Sequence, residues 1–210
     1  MTVSPHSLAG VIIAGGYSTR FGDEDKAVAD LAGTPMIRRV VDRLAAVTDE
    51  IIVNCRNDQR EQIQTAIEGC APDVQFAIDP IEDRGPLAGI RIALETTSRE
   101  YAAVVACDMP FVDPALLSYL ADQARGHDAA IVQVEDRWYQ TTQAVYRSDT
   151  MARSAAAVLE DDDRRIVAAL EEIDVVTVDE SELEEIGVDN VTFESIDTQD
   201  ALETAARRLS

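Results

Sequence analysis

Apolar residues along this chain fall into two alternating patterns. The run LAGVIIA at residues 8–14 is too short and too β-branched for a helix and reads as a strand buried on both faces. YAAVVA at 101–106 reads the same way. Between such runs, apolar positions recur at helical spacing. After Thr34-Pro35, an expected N-cap and first-turn proline, Met36, Ile37, Val40, Val41 and Leu44 mark one helix. Further strands are expected at 51–54, 74–79, 129–134, 141–146, 175–178 and 191–196. Further helices are expected at 58–68, from Gly85-Pro86 to about 96, after Asp113-Pro114, and at 148–158, 164–172 and 198–209. Strict strand–helix alternation through residue 127 predicts a parallel sheet with helices on both faces, whereas 128–196 is richer in strands and less regular. The expected fold class is α/β: one three-layer α/β/α domain over 1–210, mostly parallel with an antiparallel edge. There is no internal repeat, and the acidic run at 160–163 reads as a solvated loop.

Composition narrows the classes of function. A chain of 210 residues is long enough to bury a sizeable core. Its apolar runs are strand-sized, which excludes a membrane-spanning helix, and residues 1–6 lack the features of a signal peptide. Cys55, Cys70 and Cys107, an odd number without metal-ligand spacing, point to a reducing, cytoplasmic location. Forty acidic against 18 basic residues give a formal charge of −22, a surface that repels nucleic acid. The basic residues are 17 Arg and a single Lys. An acidic, lysine-poor composition resembles that of proteins from extreme halophiles, whose counterions screen such self-repulsion.

In open α/β sheets, ligands bind beyond the carboxyl ends of the parallel strands. Four unusual segments fall there. The first, AGGYSTRFGDEDK at 14–26, matches neither GxGxxG nor GxxxxGK[ST], so the dehydrogenase and P-loop fingerprints both fail. It still has the chemistry of a phosphate loop. Gly15 and Gly16 let backbone N–H groups approach an anion, and Arg20 and Lys26 bring positive charge. Glycines alone would equally make a strand–helix turn. The placement of the chain's single lysine within a dozen residues of Gly15 favours the phosphate reading. The second segment, GPLAG at 85–89, suits close packing against a ligand or the sheet. The third, ACDMP at 106–110, puts Asp108 at a strand end, where it serves as a turn residue or holds Mg²⁺ against phosphates. Cys107 beside it reads as a small buried residue, since no His lies nearby. Fourth, Asn54 and Asp79 end two strands where a base or ribose could be read.

In order, AGG-x-S-x-R-x-G-x-x-x-K, GPLAG and CDMP resemble the molybdenum cofactor guanylyltransferases of the wider nucleotidyltransferase superfamily, over most of the chain. The resemblance implies a Rossmann-like nucleotidyltransferase fold and transfer of GMP from Mg-GTP to the phosphate of molybdopterin, releasing pyrophosphate. It implies a nucleotide-binding half at 1–127 and an acceptor-binding half at 128–210. It assigns GTP to Ile13, Ala14, Gly15, Gly16, Lys26, Asn54, Asp79 and Asp108, with Arg20, Lys26 and Asp108 catalytic and Mg²⁺ on Asp108. The partners implied are GTP, molybdopterin or its molybdenum-loaded form, and other proteins of cofactor biosynthesis or molybdoenzyme assembly.

The match weakens toward the C-terminus. That family typically ends in F-x-N-[IV]-N-T-P-E-x-L, and this chain has FESIDTQDAL at 193–202. Ser195 and Asp197 stand in place of the asparagines and Gln199 in place of the proline. Asp197 is a second candidate Mg²⁺ ligand. Gln140-Thr141-Thr142 replaces a proline-containing turn of the acceptor side, and Arg164, Arg165 and Ser195 are the acceptor-binding candidates. The departures keep alternatives open: cytidylyl transfer to molybdopterin, guanylyl transfer to cobinamide phosphate or a phospholactate, or a GTP-binding protein without catalysis.

Overall fold

The computed structural model describes residues 8–17, 21, 25–70, 72–80, 84–134 and 138–209. Alternating side chains on β1 (Leu8–Ile13) enter two different cores, as the two-residue period of a strand requires. Leu8 and Ile12 face one layer, and Ala9, Val11 and Ile13 the other. The strand is therefore apolar at every position and sits at the centre of a sheet. Around it lie β4 (Ile51–Cys55), β5 (Val74–Ile78), β6 (Tyr101–Ala106), β7 (Ala129–Val134), β8 (Trp138–Arg147) and β9 (Val175–Val178), in the order β5-β4-β1-β6-β8-β7-β9.

Pairing is parallel from β5 to β6 and between β7 and β9, and antiparallel on both sides of β8. The antiparallel strand thus lies inside the sheet, not at its edge as expected from the sequence. Its residues fit that place: Ala144 and Tyr146 are buried in one core and Val145 in the other, so both faces of β8 are covered while its edges pair with β6 and β7. The sheet continues across residue 127, because β6 pairs directly with β8.

Helices α1 (Met36–Leu44), α2 (Arg60–Ala66) and α4 (Pro114–Gln123) cover one face, through Ile37, Val40, Leu44, Ile63 and Leu117. Helices α3 (Pro86–Thr96), α5 (Ser148–Glu160) and α6 (Ile166–Leu170) cover the other, through Leu87, Ile90, Met151 and Ala169. A smaller core joins Phe21, Leu31 and Met36 to Ile196 and to Ala205 of α8 (Gln199–Leu209). None of the described helices is long and apolar enough to cross a membrane.

Three local expectations are corrected. Thr34 is not a helix cap. It pairs with Leu31 in a small hairpin, β2 (Asp30–Leu31) and β3 (Thr34–Pro35), turned by the positive φ of Ala32 and Gly33, and Pro35 precedes α1 with no side-chain cap. Residues 191–196 are not a strand. Asn190–Phe193 is a 3₁₀ turn capped by the Asp189 carboxylate, and the Thr192 hydroxyl is engaged by Asp113 N and Gln143 Nε2. Helix α7 (Glu180–Glu185) was not foreseen, although the capping box between Asp179 and Glu182 is legible in the sequence.

Candidate active site

The carboxyl ends of β1, β4, β5 and β6 open into a cleft of about 510 Å³. The loop after β1 supplies Ile13 to Tyr17, and Lys26 returns to the cleft from a 3₁₀ turn, Lys26–Val28, capped by Asp25. Asn54 near the end of β4 and Asp79 just after β5 lie along one wall, and Gly85, Pro86 and Ala88 open α3 beside them. Cys107, Asp108 and Met109 follow β6. The opposite wall is Tyr139 to Thr142 of β8, with Phe193 and Ser195.

Glycine is required at two positions by close approach. A Cβ on Gly15 would lie closer than 3.0 Å to Asp79 Oδ2, and one on Gly89 closer than 3.0 Å to Asn54 Oδ1. A Cβ on Gly16 would meet nothing within 4 Å. Asn54 is 1% exposed. Its Nδ2 donates to Ala77 O at 3.1 Å and to Asp79 Oδ1 at 2.6 Å, while its Oδ1 has no hydrogen-bond partner among the described residues. The Asn54 amide donor is thus engaged inside the protein, where it holds Asp79 in place. Burial raises the Asp79 pKa above the usual value, partly offset by that hydrogen bond.

Lys26 Nζ donates to Asp108 and, at 3.1 Å, to Asp197 Oδ1. Burial acts to lower the lysine pKa, but Asp108 and its neighbours outweigh it and hold the ammonium well above the usual lysine range. Burial pushes the Asp108 carboxyl up, against the pull of Lys26. For Asp197 burial acts to raise the carboxyl pKa, but the bond and charge of Lys26 together with hydrogen bonds to Asp108 and Ser195 outweigh it and hold the carboxyl below the usual value. Asp197 reaches this point because Ile196 N donates to Asp108 O at 2.8 Å and Ile196 is buried in the small core. Gln199, the departure from the proline pattern, donates from Nε2 to Phe21 O at 3.1 Å and ties the C-terminal segment to the loop after β1. Two carboxylates on one ammonium form a hard oxygen donor pair. Mg²⁺ uses one or two protein carboxylates with waters and substrate phosphates, so the pair fits that ion. No cluster of three or more metal-ligating side chains is present among the described residues.

The structure brings Ile13, Ala14, Gly15, Gly16, Lys26, Asn54, Asp79, Asp108 and Ser195 to one cleft, and Asp197 to its ion cluster. Arg20 lies outside the described residues. Arg164 packs behind Gly85, where an added Cβ would sit 3.6 Å from the Arg164 Cβ, placing it near the rim. Arg165 is not among the lining residues. Its side chain is 69% exposed and turned onto Asp163, whose carboxylate also accepts from Arg165 N at the start of α6. Cys107 is buried, and burial raises its thiol pKa, consistent with a packing role. The sequence reading missed Arg84 and Tyr139, which line the cleft, and Arg56 and Gln59 beneath it. Arg56 and Gln59 sit in a polar run that reads as a solvated helix start; only their burial distinguishes them.

The chain is 49% identical over 201 residues to a protein of Natronomonas pharaonis named "Probable molybdenum cofactor guanylyltransferase", covering 96% of this chain and 98% of the relative. A protein of Desulfosudis oleivorans named molybdenum cofactor guanylyltransferase is 30% identical, covering 95% and 94%. Among solved structures, molybdopterin-guanine dinucleotide biosynthesis protein A of Archaeoglobus fulgidus superposes with a TM-score of 0.78 at 23% identity, covering 96% and 98%. The 4-diphosphocytidyl-2C-methyl-D-erythritol synthase of Anaerococcus prevotii shares the fold with a TM-score of 0.74 at 14% identity, covering 98% and 99%. Residues 10–175 match the MobA-like NTP transferase domain, and the chain belongs to that family.

Proposed function

We propose that the protein transfers GMP from GTP to the terminal phosphate of molybdopterin, releasing pyrophosphate, in the biosynthesis of the molybdenum cofactor. The observation that carries this reading is the ion cluster of Lys26, Asp108 and Asp197 at the end of a glycine loop, in a cleft with a half-buried carboxylate, Asp79, on its wall. The names of the full-length relatives supply the substrate class.

An acceptor phosphate oxygen attacks the α-phosphorus in line, and the bond from that phosphorus to the bridging oxygen of the β-phosphate breaks as pyrophosphate leaves. Both reactants are anionic, so neutralisation and alignment are the main tasks. Lys26 and the loop amides neutralise the β- and γ-phosphates and the departing pyrophosphate. Asp108 and Asp197 would hold Mg²⁺, which supplies charge stabilisation at the α-phosphate. Asp79 offers acceptor oxygens only, suited to the adjacent N1–H and N2–H₂ donors of guanine; cytosine sets an acceptor beside its single amino donor. Arg164 and Ser195 belong to the acceptor side. The reading places the reaction in a reducing cytoplasm, where Cys55, Cys70 and Cys107 remain thiols.

The test is pyrophosphate release in molar KCl with Mg²⁺ and molybdopterin, comparing GTP, CTP and ATP. Turnover with GTP alone is expected. Turnover with CTP would overturn the assignment of Asp79, and saturable GTP binding without turnover would overturn the acceptor or the catalysis. Lys26→Ala is expected to lower the rate by about 10²-fold or more.

A further inference from the structure

Beneath the glycine loop, two side chains that face no ligand hold its backbone. Arg56 is 8% exposed and Gln59 is 2% exposed, among the few buried polar groups described in this acidic chain. The Arg56 guanidinium uses four of its five N–H groups. Nη1 donates to Gly15 O at 3.1 Å and to Gly16 O at 3.0 Å, while Nε and Nη2 donate to the Asp58 carboxylate at 3.1 and 3.3 Å. Its Cζ lies over the Tyr17 ring, 4.3 Å from the centroid. Gln59 links the two ends of the same loop: Nε2 donates to Ala14 O at 3.0 Å and to Asp25 Oδ2 at 2.5 Å, and Oε1 accepts from Arg56 N at 2.9 Å. The other oxygen of Asp25 caps the turn that carries Lys26, accepting from Ala27 N at 3.0 Å.

The geometry has one consequence for the backbone. In a trans peptide the N–H points opposite to the C=O. With the Gly15 and Gly16 carbonyls drawn down onto Arg56, the N–H groups of Gly16 and Tyr17 turn away from it, and both residues line the cleft. The guanidinium charge is already met by Asp58 through Nε and Nη2, and its Nη1 donors face carbonyls. It is therefore placed to orient the loop and not to meet a phosphate itself.

We propose that Arg56 and Gln59 are positioning residues for the phosphate-binding loop: Arg56 aims its amides into the cleft, and Gln59 fixes the distance from Ala14 to the turn bearing Lys26. The proposal rests on the nucleotide-site reading given above. It sets Arg56 apart from Lys26, which acts through its own charge.

The experiment is equilibrium binding of GTP, GMP and guanosine to the full chain in molar KCl, for wild type, Arg56→Met and Gln59→Leu. A positioning role predicts a phosphate-dependent loss: affinity for GTP falls at least ten-fold in both variants, GMP is affected less, and guanosine changes by less than two-fold. Gln59→Leu is the decisive variant because it alters no charge. Unchanged GTP affinity in it, with a loss in Arg56→Met, would show a direct charge contact and overturn the proposal. Equal losses for GTP and guanosine would show a merely structural role and overturn it too. If either variant fails to fold, Arg56→Lys replaces it. That variant keeps the charge without the planar fork, so the same phosphate-dependent loss is expected and full GTP affinity would refute the proposal. If wild type binds neither GTP nor guanosine, the nucleotide-site reading itself fails.

Discussion

Replacing Gly89 by Ala should destabilise this protein, against the usual sign for such a change in a helix. Gly89 is the fourth residue of α3, where alanine ordinarily gains up to about 1 kcal/mol in propensity. Here the new methyl would press on Asn54, closer than 3.0 Å to Oδ1 and 3.0 Å from Cγ. Asn54 cannot yield freely, because Nδ2 is bonded to Ala77 O and Asp79 Oδ1. Moving it leaves a buried carbonyl and a half-buried carboxylate without that donor, at about 1–3 kcal/mol each. The net expectation is a loss of about 1–5 kcal/mol once the propensity gain is subtracted. For a chain of this size each kcal/mol lowers Tm by roughly 2–4 °C. Denaturant unfolding in molar KCl, with calorimetry alongside, measures the loss. GTP affinity should fall with it, since Asp79 loses its tether, while pyrophosphate binding on the glycine loop should hold. A Gly89→Ala variant as stable as wild type, or more so, would refute the reasoning, because it would mean that Asn54 is not locked.

Other consequences are open to direct measurement. In nucleotide-free protein Lys26 serves as the counter-cation of Asp108 and Asp197, so Lys26→Met should bind free Mg²⁺ about ten-fold more tightly by titration calorimetry; equal or weaker binding would contradict the shared cation site. Burial raises the Asp79 pKa, so its ionised form costs stability at neutral pH and protonation recovers it. Asp79→Asn should therefore raise Tm at pH 7, with the gain shrinking as pH falls through the raised pKa toward the ordinary value of 3.8, and it should abolish discrimination for guanine. A gain that persists below pH 3 would point to packing and not to charge. With 40 acidic residues against 18 basic, circular dichroism across a KCl series should show structure lost at low salt; a spectrum unchanged down to dilute buffer would remove the halophilic reading.

Much of the architecture was legible in the sequence because each element must bury a face of its own. The all-apolar run at 8–14 could only be a central strand, and the spacing of Met36 to Leu44 could only be one side of a helix. The place of the site followed from the same reading, since Gly15, Asn54, Asp79 and Asp108 all end parallel strands and so converge on one edge of the sheet. Tertiary structure alone decided three things. It set β8 between β6 and β7, because strand order depends on which backbones pair along a strand's two edges and not on that strand's own pattern. It made Asn190–Phe193 a capped turn, whose Thr192 hydroxyl is engaged by Asp113 and Gln143 from distant segments. It also brought Asp197 onto Lys26 across 171 positions, and raised Arg56 and Gln59 from an ordinary polar run to the supports of the glycine loop. Periodicity reports how a segment meets the solvent; the pairing of charges and carbonyls far apart in the chain is settled only when the sheet closes and water leaves them.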